Sequence, residues 1–153
     1  MSLLTRRGFL AATSASAATL LLPAQVRAQS TRMTLSATSR TIEVQGKAAT
    51  VWGLLDGNGR SGLVFDPGQT FAVDLTNTLD APTIIHWHGQ IPPNIQDGVP
   101  DLPMPMLQPG ESRGYDFAAR PGTHWMHAHI PEHEMLLLAA PLVVRRPEDV
   151  SAD

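Results

Sequence analysis

Two short segments hold the residues best suited to chemistry: Ile85-His86-Trp87-His88-Gly89 and Gly122-Thr123-His124-Trp125-Met126-His127-Ala128-His129. Each contains a His-x-His pair. Residues two apart in a β-strand point to the same face, so each pair offers two imidazoles on one side of its strand. Trp87 and Ala128 then fall on the other side. Two such pairs on neighbouring strands would converge four neutral nitrogen donors, a set that suits copper, zinc, iron or nickel. His86, His88, His127 and His129 are therefore the candidate metal ligands. They must be neutral to bind, and the ordinary imidazole pKa is about 6.5, so affinity should fall in mild acid.

The chain has no cysteine, which removes two options. It can form no disulfide, and it cannot build a blue-copper electron-transfer site, which needs a thiolate beside its histidines.

The other candidates have simpler readings. His124 lies off the alternation that gathers the ligands and reads as an ordinary, partly buried histidine. His133, in Pro131-Glu132-His133-Glu134, reads as part of a solvated polar loop. Trp87 and Trp125 are expected to face away from the ligands and pack in the core. Met104, Met106, Met126 and Met135 carry thioethers that could hold Cu(I), although methionine more often fills gaps in an apolar surface. Asp97, followed by glycine, reads by itself as a turn residue.

The elements that must position these groups are strands. Thr41-Ile42-Glu43-Val44-Gln45 and Phe71-Ala72-Val73-Asp74-Leu75 alternate apolar with polar as half-buried strands do. Asp56-Gly57-Asn58-Gly59 signals a tight hairpin turn, and Asp66-Pro67-Gly68 turns the chain again. Residues 83–87 form the first histidine strand. Residues 112–118 and 123–128 return to strand pattern, and residues 136–144 form a nearly continuous apolar closing strand. Between them, residues 90–110 hold six prolines and read as a long loop. A connection of that length in a compact domain is usually functional or covers something. No helical period is visible after the N-terminal segment. Many short strands separated by Gly/Pro turns predict an all-β sandwich or barrel.

The N-terminus reads as a twin-arginine export signal spanning residues 1–28. Arg6-Arg7 precede an apolar run to Leu22, and Val26-Arg27-Ala28 offers small residues for cleavage. The run is short of the roughly 20 apolar residues a membrane span needs, and Thr13, Ser14, Ser16 and Thr19 dilute it. Removing the leader leaves 125 residues, enough for one domain. Arg6, Arg7 and Arg27 are its only charged residues, so the remainder carries a net charge of −6. No basic cluster remains, which argues against a nucleic-acid partner. Residues 29–40 read as an N-terminal lead-in strand region, residues 41–144 as the domain and residues 145–153 as a linker-like tail. The expected location is the periplasm.

From about Thr41 to Val144 the chain resembles the first domain of the multicopper oxidases, the family of laccases and bacterial copper-efflux oxidases. The resemblance rests on Thr83-Ile84-Ile85-His86-Trp87-His88-Gly89, on Gln96-Asp97-Gly98-Val99-Pro100, on the second His-x-His segment, and on Ala139-Ala140-Pro141-Leu142-Val143-Val144. It implies that residues 41–144 are a cupredoxin-like domain, a Greek-key β-sandwich. It also implies a trinuclear copper cluster that reduces O2 to water while a reducing substrate is oxidised at a separate blue copper. The cluster takes eight histidines, four from the first domain and four from the last. By motif, His86 would bind the type 2 copper, His88 and His127 one type 3 copper, and His129 the other. Asp97 matches an acidic residue linked to proton delivery. His124 stands where the family usually carries Phe or a similar residue.

The blue-copper cysteine and the other four histidines are absent from these 153 residues. The chain is thus expected to supply half a site and to be inactive alone. Its partner would be a second cupredoxin domain or chain, with O2 and a phenol- or metal-type donor serving the complete enzyme. A standalone copper carrier or buffer is the alternative, and zinc hydrolysis on three histidines a remote one.

Overall fold

A computed structural model describes residues 32–151. The export-signal segment lies outside the described residues. Eight strands form two four-stranded sheets packed face to face. They are β1 (Met33–Val44), β2 (Lys47–Asp56), β3 (Leu63–Phe65), β4 (Thr70–Asn77), β5 (Ile85–His88), β6 (Ser112–Ala118), β7 (Gly122–Ala128) and β8 (Ala139–Val144). One sheet has the order β2-β1-β4-β6 and the other β3-β8-β7-β5. The β1–β4 and β3–β8 pairs are parallel, so no hairpin can make them. The chain must cross between the sheets repeatedly, giving the all-β, cupredoxin-type Greek-key sandwich that the motifs imply.

Several local expectations need correction. The lead-in strand region and the strand expected from Thr41 are one continuous strand from Met33, which pairs with β2 across a two-residue turn. Gln45 and Gly46 both have positive φ, at 51° and 77°, as a type I′ hairpin requires. Glutamine is an unusual first residue for that turn, so the pattern is faint in sequence. Asp56-Gly57-Asn58-Gly59 does turn, with Gly59 N–H donating to the Asp56 carbonyl at 2.9 Å. It makes the expected hairpin, with Leu55 bridged antiparallel to Ser61, and then carries the chain to the other sheet. Residues 136–144 are not one strand. A single helical turn, α1 (Pro131–Met135), precedes them, Leu137 adopts φ 65°, and β8 starts only at Ala139. A second helical turn, α2 (Pro147–Val150), occupies part of the expected linker tail, its end tied by Arg146 N–H to the Asp149 carboxylate at 2.8 Å.

The core fills the space between the sheets. Phe71 is its centre, stacked on Phe117 at 4.3 Å and Phe65 at 5.2 Å between ring centroids, with Trp87 edge-on at 4.8 Å. Tyr115 packs against Trp87 at 4.7 Å, and burial pushes its hydroxyl pKa up. Fully burying such a side chain contributes about 1.5–3 kcal/mol. Inward residues of the second sheet, among them Ile85, Met126, Ala128 and Leu142, complete the layer.

The long loop is strapped onto this sandwich. Apart from one 3-10 turn, Asn94–Gln96, it has no helix or strand of its own. The Gln96 side chain accepts from Asp116 N–H at 2.8 Å and donates to its carbonyl at 3.4 Å. Thr83 and Leu107 exchange backbone hydrogen bonds at 3.0 and 2.7 Å. Buried Asn77 joins the same region. Its amide donates to the Ala81 and Leu107 carbonyls, both at 2.9 Å, and its oxygen accepts from Leu79 N–H at 3.0 Å. Asn77→Ala removes these partners, and a buried polar group left unpaired costs about 1–3 kcal/mol. The variant should show a loss of that size in urea unfolding, and an unchanged midpoint would mean that Asn77 does not hold the loop.

Candidate metal centre

Strand β5 is short and its alternation is strict. Ile85 and Trp87 point into the core with no exposed surface, so His86 and His88 must point outward. Trp87 is locked in that orientation by its ring nitrogen, which donates to the Gln96 carbonyl at 3.0 Å. Antiparallel pairing with β7 puts His127 directly opposite His86 and Trp125 opposite His88. His129 continues past the end of β7, where its N–H donates to the Ile84 carbonyl at 3.3 Å.

The four predicted ligands therefore gather on the outer face of the second sheet. The nearest ligand atoms of His86, His88 and His127 all lie within 4.8 Å of one another. His129 is at the margin of this group. Its ring stacks on His86 at 5.3 Å and lies 5.9 Å from His127, centroid to centroid.

Hydrogen bonds determine which nitrogen each buried or half-buried ring presents. His86 Nδ1 lies 2.8 Å from the Asp97 carbonyl oxygen, which can only accept. The proton therefore sits on Nδ1, and Nε2 offers its lone pair. The Asp97 carboxylate lies somewhat farther from the same nitrogen, at 3.3 Å. His127 Nδ1 faces the Ala128 carbonyl at 2.9 Å and the Glu134 carboxylate. Its Nε2 is buried and has no hydrogen-bond partner among the described residues. An unpaired buried acceptor costs about 1–3 kcal/mol, and a metal ion would satisfy it. This orphaned lone pair, on a ring grouped with two further imidazoles, fits an ion such as copper.

Two glycines permit the close approaches. Gly98 has φ 80°, and a Cβ there would lie 2.0 Å from the Ile85 carbonyl oxygen. Only glycine lets the Asp97 backbone come near enough to engage His86. Gly89 has φ 84° beside His88, and a Cβ there would meet His124 Nδ1 at 2.3 Å.

The remaining predicted residues divide. Trp87 is in the core as expected. Trp125 is not. It is 42% exposed and lies on the ligand face, stacked on His127 at 4.0 Å and 14° and lying 5.1 Å from His88. Strand parity already required this, since Trp125 is two residues from His127. His124 is half-buried, its Nε2 lying 3.2 Å from the Arg120 carbonyl. His133 is not a solvated loop residue. It belongs to α1, lies 3.1 Å from Thr83 Oγ1 through Nδ1, and meets Trp52 edge-on at 4.8 Å. Burial pushes its pKa down. Met126 packs in the core and Met135 is 84% exposed. Glu134 was not singled out from sequence. Its contact with His127 depends on the helical turn that Pro131 opens, and proline ahead of acidic residues was the available signal.

Comparison with known proteins places these features. A family model described as multicopper oxidase matches residues 36–149. Copper resistance protein A of Pseudomonas syringae pv. tomato is 34% identical over 119 residues, covering 77% of this chain and 20% of that protein. Copper resistance protein A of Escherichia coli is 32% identical over 140 residues, covering 88% of this chain and 23% of that protein. A multicopper oxidase crystal structure from Pseudomonas thermotolerans superposes with a TM-score of 0.66 at 34% identity, covering 73% of this chain and 28% of that one. The chain thus spans about a fifth of the length of the curated relatives it matches. With a cupredoxin-type sandwich, paired His-x-His strands and a family match over most of its length, this chain belongs to the multicopper oxidase family.

Proposed function

We propose that this chain supplies half of a trinuclear copper site in a multicopper oxidase, with a second cupredoxin domain or chain completing it. The reading rests above all on the buried, unpartnered Nε2 of His127, on a ring grouped with those of His86 and His88. In this assignment His86 holds the type 2 ion, His88 and His127 hold one type 3 ion, and His129 holds the other. Bound copper supplies one-electron redox chemistry, coupling the oxidation of a phenol- or metal-type donor to the reduction of O2 to water.

The chain's own residues do the positioning. Asp97 holds His86 through its backbone carbonyl and keeps a carboxylate oxygen 3.3 Å from the same ring. That carboxylate is partly exposed, so it can hold a proton between solvent and the histidine face. Trp125 covers one side of His127 and limits its rotation. The proposed location is the periplasm, reached through the twin-arginine leader. No helix among the described residues is long and apolar enough to cross a membrane.

A second reading, a copper carrier acting alone, is favoured by one feature. Three of the histidines already converge without any second domain. Intact mass of the native protein in the periplasmic fraction separates the two readings. A species several domains larger supports the single-chain oxidase; a species near the leader-cleaved length supports the carrier if it migrates alone in native size exclusion, and a two-chain oxidase if it co-elutes with a partner.

Copper titration of the chain should show uptake that His88→Ala combined with His127→Ala largely abolishes. Equal copper content in that variant would overturn the site assignment. Copper should also raise the thermal midpoint and a chelator should reverse the rise, because a ligand at 100 times its Kd stabilises a fold by about 2.7 kcal/mol. A midpoint insensitive to both would mean that copper does not bind the folded domain. In the complete oxidase, Asp97→Asn should leave copper loading intact and slow O2 reduction by about a hundredfold or more, the usual contribution of a positioned proton donor. An undiminished rate would remove Asp97 from proton delivery.

A further inference from the structure

His86 and His127 stand opposite each other, and each Nδ1 meets a backbone carbonyl and a carboxylate. His86 Nδ1 lies 2.8 Å from the Asp97 carbonyl oxygen and 3.3 Å from the carboxylate of the same residue. His127 Nδ1 lies 2.9 Å from the Ala128 carbonyl and in direct contact with the Glu134 carboxylate, which comes from a separate element, α1.

The geometry of α1 imposes the contact. The turn opens at Pro131, and both His133 and Glu134 N–H groups donate to the Ile130 carbonyl, at 3.0 and 3.1 Å. Its far end is tied to the sandwich twice. Trp52 N–H donates to the Leu136 carbonyl at 2.7 Å, and Ala128 N–H donates to the Leu138 carbonyl at 2.9 Å. The His133 ring anchors the middle through Thr83 Oγ1 and the edge of Trp52. Glu134, the next residue, has little freedom to leave His127. An isolated turn of five residues is unstable in water, so this one exists through its anchors.

We propose that Glu134 is a positioning residue for His127. Its carboxylate accepts the Nδ1 hydrogen bond beside the Ala128 carbonyl and fixes the orientation of the imidazole, which leaves Nε2 for the metal. Carboxylate partners of metal-bound histidines act in this way, and their loss typically weakens metal binding about 10- to 100-fold. The inference rests on the copper-site reading for its consequence, while the hydrogen bond it predicts exists without copper.

The test uses the whole chain, the variants Glu134→Ala and Glu134→Gln, and two measurements. The first is long-range 1H–15N NMR of the metal-free protein above pH 7.5. It should show His127 as the Nδ1–H tautomer in the parent and in E134A, because the Ala128 carbonyl still accepts, with the Nδ1 proton shifted upfield in E134A as the carboxylate hydrogen bond is lost. E134Q should fall between the two, because its amide oxygen still accepts but carries no charge. The second is Cu(II) titration against a competing chelator, with the electron paramagnetic resonance spectrum recorded on the bound form. E134A should bind about 10- to 100-fold more weakly with altered copper hyperfine splitting, and E134Q should fall between it and the parent. An Nδ1 proton shift unchanged in E134A, or a copper affinity within about twofold of the parent, overturns the proposal. If E134A does not fold, E134Q decides alone: weaker binding with a weakened Nδ1 hydrogen bond supports the role, and parental affinity overturns it. Failure of the parent to bind copper would sink the copper reading, leaving the proton-shift measurement to decide the role of Glu134.

Discussion

The burial of Trp87 is the constraint on which the rest of the structure depends. Its ring sits between Phe71 and Tyr115 with its nitrogen satisfied by the Gln96 carbonyl. A strand alternates with period two, so this one inward residue forces His86 and His88 outward. A register slip of one residue would bury two imidazoles and expose a tryptophan, a cost large enough to exclude the alternative. The position of the histidine face is therefore secured by the hydrophobic core and not by the histidines themselves. The same bond links the core to the loop that carries Asp97, so core packing and the support of His86 are one arrangement.

Around that face, each ring is limited by a different neighbour. Backbone carbonyls and carboxylates occupy Nδ1 of His86 and His127, leaving Nε2 for the ligand role. The stacked Trp125 covers His127, while His88 and His129 remain exposed. An array with one buried, preset donor and two open ones is half enclosed. This suits the half-site proposed above, whose remaining ligands would arrive from another domain or chain.

Much of the site was legible because its periodicity is local. The His-x-His spacing, the core position of Trp87, the Asp97-Gly98 turn and the proline-rich loop all depend on a few adjacent residues. Where the reading failed, the deciding interaction was distant or the local signal was faint. The β1–β2 hairpin lacks the usual Asn-Gly pair. The apolar run 136–144 resembles a strand, yet its first three residues follow a helical turn and close it against Trp52 and Ala128. Trp125 was an error of parity, since the same alternation that grouped the histidines places it beside them.

By itself, the sequence determined the all-β class, the two histidine pairs, the exclusion of a thiolate site and the membership of a family. These follow from residue type and from period-two alternation, which need no knowledge of distant contacts. Only the tertiary structure decided that His86 opposes His127, that His127 carries a buried and unpartnered Nε2, and that Glu134 reaches its other nitrogen. Those facts come from strand pairing and from an anchored helical turn. They bring together residues 41 and 7 positions apart, and no short-range pattern encodes such separations.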